Sequence, residues 1–283
     1  MIARVFPSKT EFSPMDEHAY FDVPGYWTPK YDQVYISTIF TWDIPHAQWL
    51  AKQWEDHGEV IIGGPAFNDP GAEFEPGKFI KPGCVFTSRG CPNNCWYCFV
   101  PKREGGIREL QIHDGNIIMD NNLLACSEKH IAEVFKMLSD KRQIDFNQGL
   151  DARLITRDIA DEIKRLKLYR VFLAYDRPGD FKTIKKVSRY LDIGRKLWVY
   201  LLAGYQGDTL EKAEARCMDV AKIGAYPFMM LYQSEDPKYY SAKWLRLQNK
   251  WTRPARWKTW MKHLKAGEKC PECENKGGKD EEN

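Results

Sequence analysis

The chain has 283 residues, enough for one large domain or for one domain with additions. Hydrophobic residues at 43% and charged residues at 29% give an ordinary soluble balance, and a net charge of +3 creates no global field that demands a nucleic-acid partner. No apolar run approaches the roughly 18 residues of a membrane span, and the stretch Met1 to Phe6 lacks the apolar core of a secretion signal. Eight cysteines in a chain this long are not a disulfide scaffold. Their clustering favours metal or redox chemistry in a reducing cytosol, so a cytoplasmic location is expected.

In chain order, residues 1–30 hold Pro7, Pro14, Pro24 and Pro29 among several aromatics and read as irregular, draped over a core. Tyr31 to Ser37 is a strand pattern. A helix is expected from about Pro45 to Asp56, with Ala47, Leu50, Ala51 and Trp54 on one apolar face. Val60 to Pro65 is a buried strand ending in a Gly-Gly-Pro turn, so residues 31–65 form a β-α-β unit. A connector rich in proline and glycine then leads to the cysteines.

From Val85 the chain beats regularly. Candidate strands centre on Val85-Phe86, Ile117-Ile118, Ile144 to Phe146, Val171 to Leu173, Trp198 to Tyr200 and Phe228 to Met230, at intervals of 27 to 32 residues. Helical patterns fill the gaps. Ser127 and Thr156 are placed to cap two of them, and Asp208-Thr209-Leu210-Glu211 has the form of a capping box. A constant order of strand and helix implies a parallel sheet, and a run of six such beats curls most naturally into a full or partial barrel. Functional groups in such barrels gather beyond the C-terminal ends of the strands. The expected partition is an N-terminal unit at 1–83, a β/α barrel at 84–235 and a basic, aromatic extension at 236–283, with a short polar tail after Cys270-Pro271-Glu272-Cys273.

The chemistry concentrates in Cys91-Pro92-Asn93-Asn94-Cys95-Trp96-Tyr97-Cys98. Three thiolates suit three corners of a four-iron cluster and leave one iron open to a substrate or cofactor. Zinc is the rival. It is poorly served by three packed cysteines without a nearby fourth ligand, the nearest downstream histidine being His113.

Cys91-x-x-x-Cys95-x-Tyr97-Cys98, placed after the first strand of a six-fold β-α repeat, resembles the signature of the radical S-adenosylmethionine (SAM) superfamily. The resemblance covers about residues 84–233. The wider phrase Ser88 to Pro101 is similar to the tRNA methylthiotransferase and cobalamin-dependent branches, with a truncated N-terminal domain. The implied fold is an α/β radical SAM partial (β/α)6 barrel with a short N-terminal α/β unit and a C-terminal helical extension. The resemblance implies that Cys91, Cys95 and Cys98 hold a 4Fe-4S cluster and that SAM chelates its open iron. One-electron cleavage of SAM would then give a 5′-deoxyadenosyl radical that takes hydrogen from a substrate. It also implies an electron donor such as flavodoxin or ferredoxin.

Further positions follow from the same resemblance. Tyr97 would sit beside the adenine, and Asp120 and Asn121 near the SAM amino group. Asn147, Gln148 and Arg153 follow strand three, and Arg153 is placed either to bind the SAM carboxylate or to pair with a neighbouring aspartate. Tyr175 and Asp176 end strand four. Gly204 and Gly207 lie in a Gly-x-x-Gly-x-Thr turn near the adenosine, for which an ordinary loop and helix cap is the bland alternative.

Some features depart from the family's branches. Only Cys84 precedes Cys91, so the second cluster of methylthiotransferases is not expected. Residues 31–65 resemble a degenerate cobalamin-domain remnant without its Asp-x-His-x-x-Gly motif. Cys84, Cys126 and Cys217 read as structural. Cys270 and Cys273 are half of a zinc knuckle, with His263 as one candidate partner, or else an idle pair. The Trp-, Lys- and Arg-rich segment 239–266 suits base stacking and phosphate contact, but reads slightly better as an amphipathic helix that closes the barrel. Nucleic acids and nucleotides stand as candidate substrates. The competing function is a non-catalytic Fe-S or zinc module that binds nucleic acid.

Overall fold

The structure is a computed structural model that describes residues 1–69, 74–177, 179–234 and 238–253. The elements in chain order are β1 (Ile2–Val5), β2 (Ala19–Tyr20), β3 (Gln33–Ser37), α1 (Ile44–Trp54), β4 (Glu59–Gly63), β5 (Cys84–Val85), β6 (Ser88–Arg89), α2 (Val100–Arg103), β7 (Arg108–Glu109) and β8 (Ile117–Ile118). They continue with α3 (Glu128–Leu138), β9 (Arg142–Phe146), α4 (Arg157–Arg165), β10 (Lys167–Tyr175), α5 (Asp180–Leu191), β11 (Leu197–Ala203), α6 (Leu210–Lys222), β12 (Tyr226–Leu231) and α7 (Ala242–Thr252).

The first sheet is parallel, in the order β2-β1-β3-β4. Ala3, Val5, Val34 and Ile36 of its strands share a core with Ala47, Leu50, Ala51 and Trp54 of α1, the helix face expected from spacing. The expectation that residues 1–30 are irregular is corrected. Two strands lie there, and one of them pairs with β3 along its whole length. Arg4 disguises β1, because a charged residue interrupts a four-residue apolar strand. Its buried guanidinium is satisfied by the carbonyls of Gly77 and Lys78 and by the Asp16 carboxylate.

The second sheet has six strands in the order β12-β11-β10-β9-β8-β5, and each pairing with a described register is parallel. All six expected strands are present. Strand order follows sequence order without a reversal. The expected caps form as well: Ser127 accepts from the His130 N–H and Thr156 from the Ile159 N–H. At α6 the capping box is corrected. Thr209 is the N-cap and accepts from the Lys212 N–H, so Glu211 falls at the second helical position and its carboxylate bonds the Thr209 hydroxyl.

The described residues divide into two compact units, one of Met1–Val171 with Ser234 and a second of Phe172–Gln233 with residues 238–253. The division falls inside β10. In the second unit α6 lies against β11 and β12 and buries Ala213, Cys217, Val220 and Ala221. Helix α7 lies against β12 and α6, burying Leu247 and Trp251 while Lys250 pairs with Glu214 at 2.6 Å. For residues 242–252 this is the packing role expected of an amphipathic helix. Trp257, Trp260, His263, Cys270 and Cys273 lie outside the described residues.

Candidate functional site

The cysteines lie in a loop pinched at its base. Strands β6 and β7 pair antiparallel, Ser88 with Glu109 and Arg89 with Arg108, so residues 90–107 leave and return at one place. Gly90 opens the loop at φ +82°, and a Cβ there would stand 2.1 Å from the Gly106 carbonyl oxygen. The Cys91 N–H donates to the Gly105 carbonyl at 3.1 Å, closing the pinch. Arg89 anchors the base, stacked on Phe86 at 4.4 Å and paired with the half-buried Glu104 at 2.8 Å. Within the loop the Cys98 N–H donates to the Cys95 carbonyl at 3.0 Å, and α2 follows directly. Cys91, Cys95 and Cys98 are all half-buried.

Three consecutive side chains beyond β8 hold the approach to the first cysteine. The buried Asp120 accepts from the Thr87 N–H at 2.7 Å, the Thr87 hydroxyl at 2.6 Å and the Ser88 hydroxyl at 2.7 Å. Asn121 Oδ1 accepts from the Gly90 N–H at 3.0 Å, and Asn122 Nδ2 donates to Cys91 Sγ at 3.4 Å. Burial raises the Asp120 pKa, and the bonds from Thr87 and Ser88 only partly oppose it. Asp120 and Asn121, expected near a SAM amino group, are thus engaged with the loop itself. Asn122 Oδ1 is buried and has no hydrogen-bond partner among the described residues.

A second support comes from the loop after β9. Asn93 Nδ2 donates to Asp151 Oδ2 at 3.1 Å, and Arg153 grips the same carboxylate bidentately at 2.8 and 2.6 Å. Of the two roles open to Arg153, the structure has the pair with a neighbouring aspartate. Burial pushes the Asp151 carboxyl up, but the bonds from Arg153 and Asn93 outweigh it and hold the pKa below the usual range. Gln148 is exposed, whereas Asn147 is buried and accepts from Arg170 at 3.4 Å. Arg170 also pairs with the buried Asp145 at 2.8 Å. Tyr97 meets Trp96 edge-on at 5.3 Å, with Trp96 exposed.

The remaining expected residues belong to the second unit. Tyr175 is buried and stacks on Phe181 at 5.7 Å, which makes it core; Asp176 is half-buried. Gly204 has φ +75° and its open side is filled by the Tyr240 ring, 2.5 Å from where a Cβ would stand. At Gly207, with φ +79°, an added Cβ would meet no atom within 4 Å. Spacing missed the centre of this turn. The Asp208 side chain is fully buried, binds Arg216 through both oxygens at 3.0 and 2.8 Å, and accepts from the Gly204 N–H at 2.9 Å. Spacing missed Thr87 altogether, and it gave Ser88, Asn93 and Asp151 no individual role, although Ser88 and Asn93 lie within the signature phrase and Asp151 is the aspartate beside Arg153.

The other cysteines fit structural roles. Cys84 and Cys217 are fully buried, and burial pushes the Cys84 thiol up to about 11. Burial also raises the thiols of Cys126 and Cys217. His113, the candidate fourth zinc ligand, meets the Phe74 ring edge-on at 5.9 Å. Among the described residues no three Cys, His, Asp or Glu side chains already converge to hold a metal ion. No helix among them is long and apolar enough to cross a membrane. No protein-family model matches the chain, and no curated protein matches it.

Proposed function

We propose that this chain is a radical SAM enzyme in which Cys91, Cys95 and Cys98 hold a 4Fe-4S cluster. The observation that carries the reading is the position of the cysteine loop, directly after the first of six parallel strands that follow sequence order. A doubly wound sheet reverses its strand order at a switch point. An order without reversal supports a partial barrel instead, with β5, β8 and β9 delivering Thr87, Asp120 and Asn147 at their C-terminal ends, where such barrels place their chemistry.

The donor set fits the group. Three thiols lie on one pinched loop, the first accepts an N–H from Asn122, and a buried acceptor beside it lacks a partner. Loading would turn the three thiols toward a common centre. When bound, such a cluster supplies the electron that cleaves SAM reductively and so generates a radical able to abstract hydrogen from a substrate. The chain's own residues do the holding. Asp120 and Asn121 fix the strand end and Gly90, the Asn93–Asp151–Arg153 set steadies the middle of the loop, and the half-buried Tyr97 flanks the third cysteine. Gly207 leaves backbone open to a ligand in the second unit. The reaction needs a one-electron donor of the flavodoxin or ferredoxin kind, and nucleic acids and nucleotides are the first substrates to try.

Anaerobic reconstitution tests the reading. The expected product is a brown protein with about four irons per chain that forms 5′-deoxyadenosine from SAM and a reductant. Cys91→Ala, Cys95→Ala and Cys98→Ala should each abolish that product. A fully loaded chain that leaves SAM intact, or activity that survives all three substitutions, overturns it.

A further inference from the structure

We propose that Asn122 is a positioning residue that fixes the Cys91 sulfur and raises the reduction potential of a cluster bound there. This rests on the cluster assignment above. Asp120, Asn121 and Asn122 act on successive parts of one segment: the first binds Thr87 and Ser88, the second the Gly90 N–H, and the third the Cys91 sulfur at 3.4 Å. Only the third touches a ligand atom. Asn122 is 4% exposed, and its backbone is held where the chain turns after β8, its carbonyl accepting from the Ala125 N–H at 3.1 Å. The side chain therefore has little freedom to leave the sulfur.

Chemistry fixes which way the amide faces. A metal-bound thiolate only accepts hydrogen bonds, so the amide must present its NH2 to the sulfur and not its oxygen. The oxygen then points elsewhere and is left without a partner, as observed. An N–H aimed at a thiolate in this half-buried setting withdraws negative charge from it. Because the reduced cluster carries one more electron than the oxidised one, that donor favours the reduced state.

The test is a redox titration of the reconstituted chain without SAM, followed by electron paramagnetic resonance, for wild type, Asn122→Leu and Asn122→Ser. Leucine keeps the volume and removes the donor; serine keeps a buried hydroxyl that is too short to reach the sulfur. At a potential that half-reduces the wild type, each loaded variant should show a reduced-to-oxidised ratio about tenfold lower, which is about 59 mV for a one-electron couple. Iron content and circular dichroism separate this from misfolding, and the serine variant serves where leucine prevents loading. Wild-type potentials in both loaded variants overturn the assignment of Asn122 and leave the cluster reading standing. A wild-type chain that binds no cluster overturns both.

Discussion

At the scale of single residues, the loop's geometry depends on backbone more than on side chains. Gly90 and Gly105 both have positive φ, +82° and +72°, yet their surroundings differ. A Cβ on Gly90 would collide with the Gly106 carbonyl, which is backbone and cannot swing aside, while a Cβ on Gly105 would meet no atom within 4 Å. Gly105→Ala should therefore cost only the left-handed conformation, about 1 kcal/mol. Gly90→Ala should cost about 3 kcal/mol or more, because the pinch must open, and it should also lower iron loading. Denaturant unfolding of the two variants checks the contrast; equal costs would mean the pinch is not a constraint. Arg153 shows why single residues are hard to assign from sequence. Its spacing after a strand suits a ligand contact, and Asp151 two positions away suits an ion pair; the structure shows the ion pair, and spacing alone cannot rank the two.

At the scale of elements, local features were legible and non-local ones were not. The caps at Ser127 and Thr156 were readable because a cap links residues within one turn. The start of α6 was misread by one position because Asp208 and Thr209 are both good caps. Thr209 takes that role, and Asp208 turns to Arg216, two turns along the helix, and to the Gly204 N–H. The signal for that pair is a charge on an otherwise apolar helix face, visible only once the face is known. Two substitutions separate the roles. Thr209→Ala should cost about 1 kcal/mol, the usual loss of a cap. Arg216→Met leaves a fully buried carboxylate without its partner and should cost about 3–5 kcal/mol, with much of that recovered when Asp208→Leu is added. A double variant as unstable as the single would mean the helix needs the ion pair for more than charge balance.

At the scale of the whole molecule, the six-beat sheet was legible because each beat repeats the same strand-helix period, and repetition averages out local ambiguity. The first sheet was only half legible. β3, α1 and β4 have clean patterns, whereas β1 carries Arg4 and β2 is two residues long. The triplet beyond β8 is read from sequence as a ligand contact by its place at a strand end, and the structure adds its protein partners, Thr87, Ser88, the Gly90 N–H and the Cys91 sulfur, which spacing does not reveal. The charge balance supports a final prediction. A net charge of +3 gives the chain little overall attraction for phosphate, so any nucleic-acid affinity must come from a local patch. Lys250 of α7 is spent on Glu214, and Trp251 is core. The remaining candidates on α7 are the exposed Lys243 and Arg246, together with Arg256, Lys258, Lys262 and Lys265 further on. Ending the chain after Arg253 should leave reductive SAM cleavage intact. If the segment contacts phosphates, the same truncation should weaken RNA binding and reduce its salt slope by about 0.7 per lost contact with a single strand. Filter binding of a single-stranded RNA across a salt series measures both quantities. An affinity and slope unchanged by the truncation would exclude the residues after Arg253 and leave Lys243 and Arg246 of α7, or another surface, to make any nucleic-acid contact.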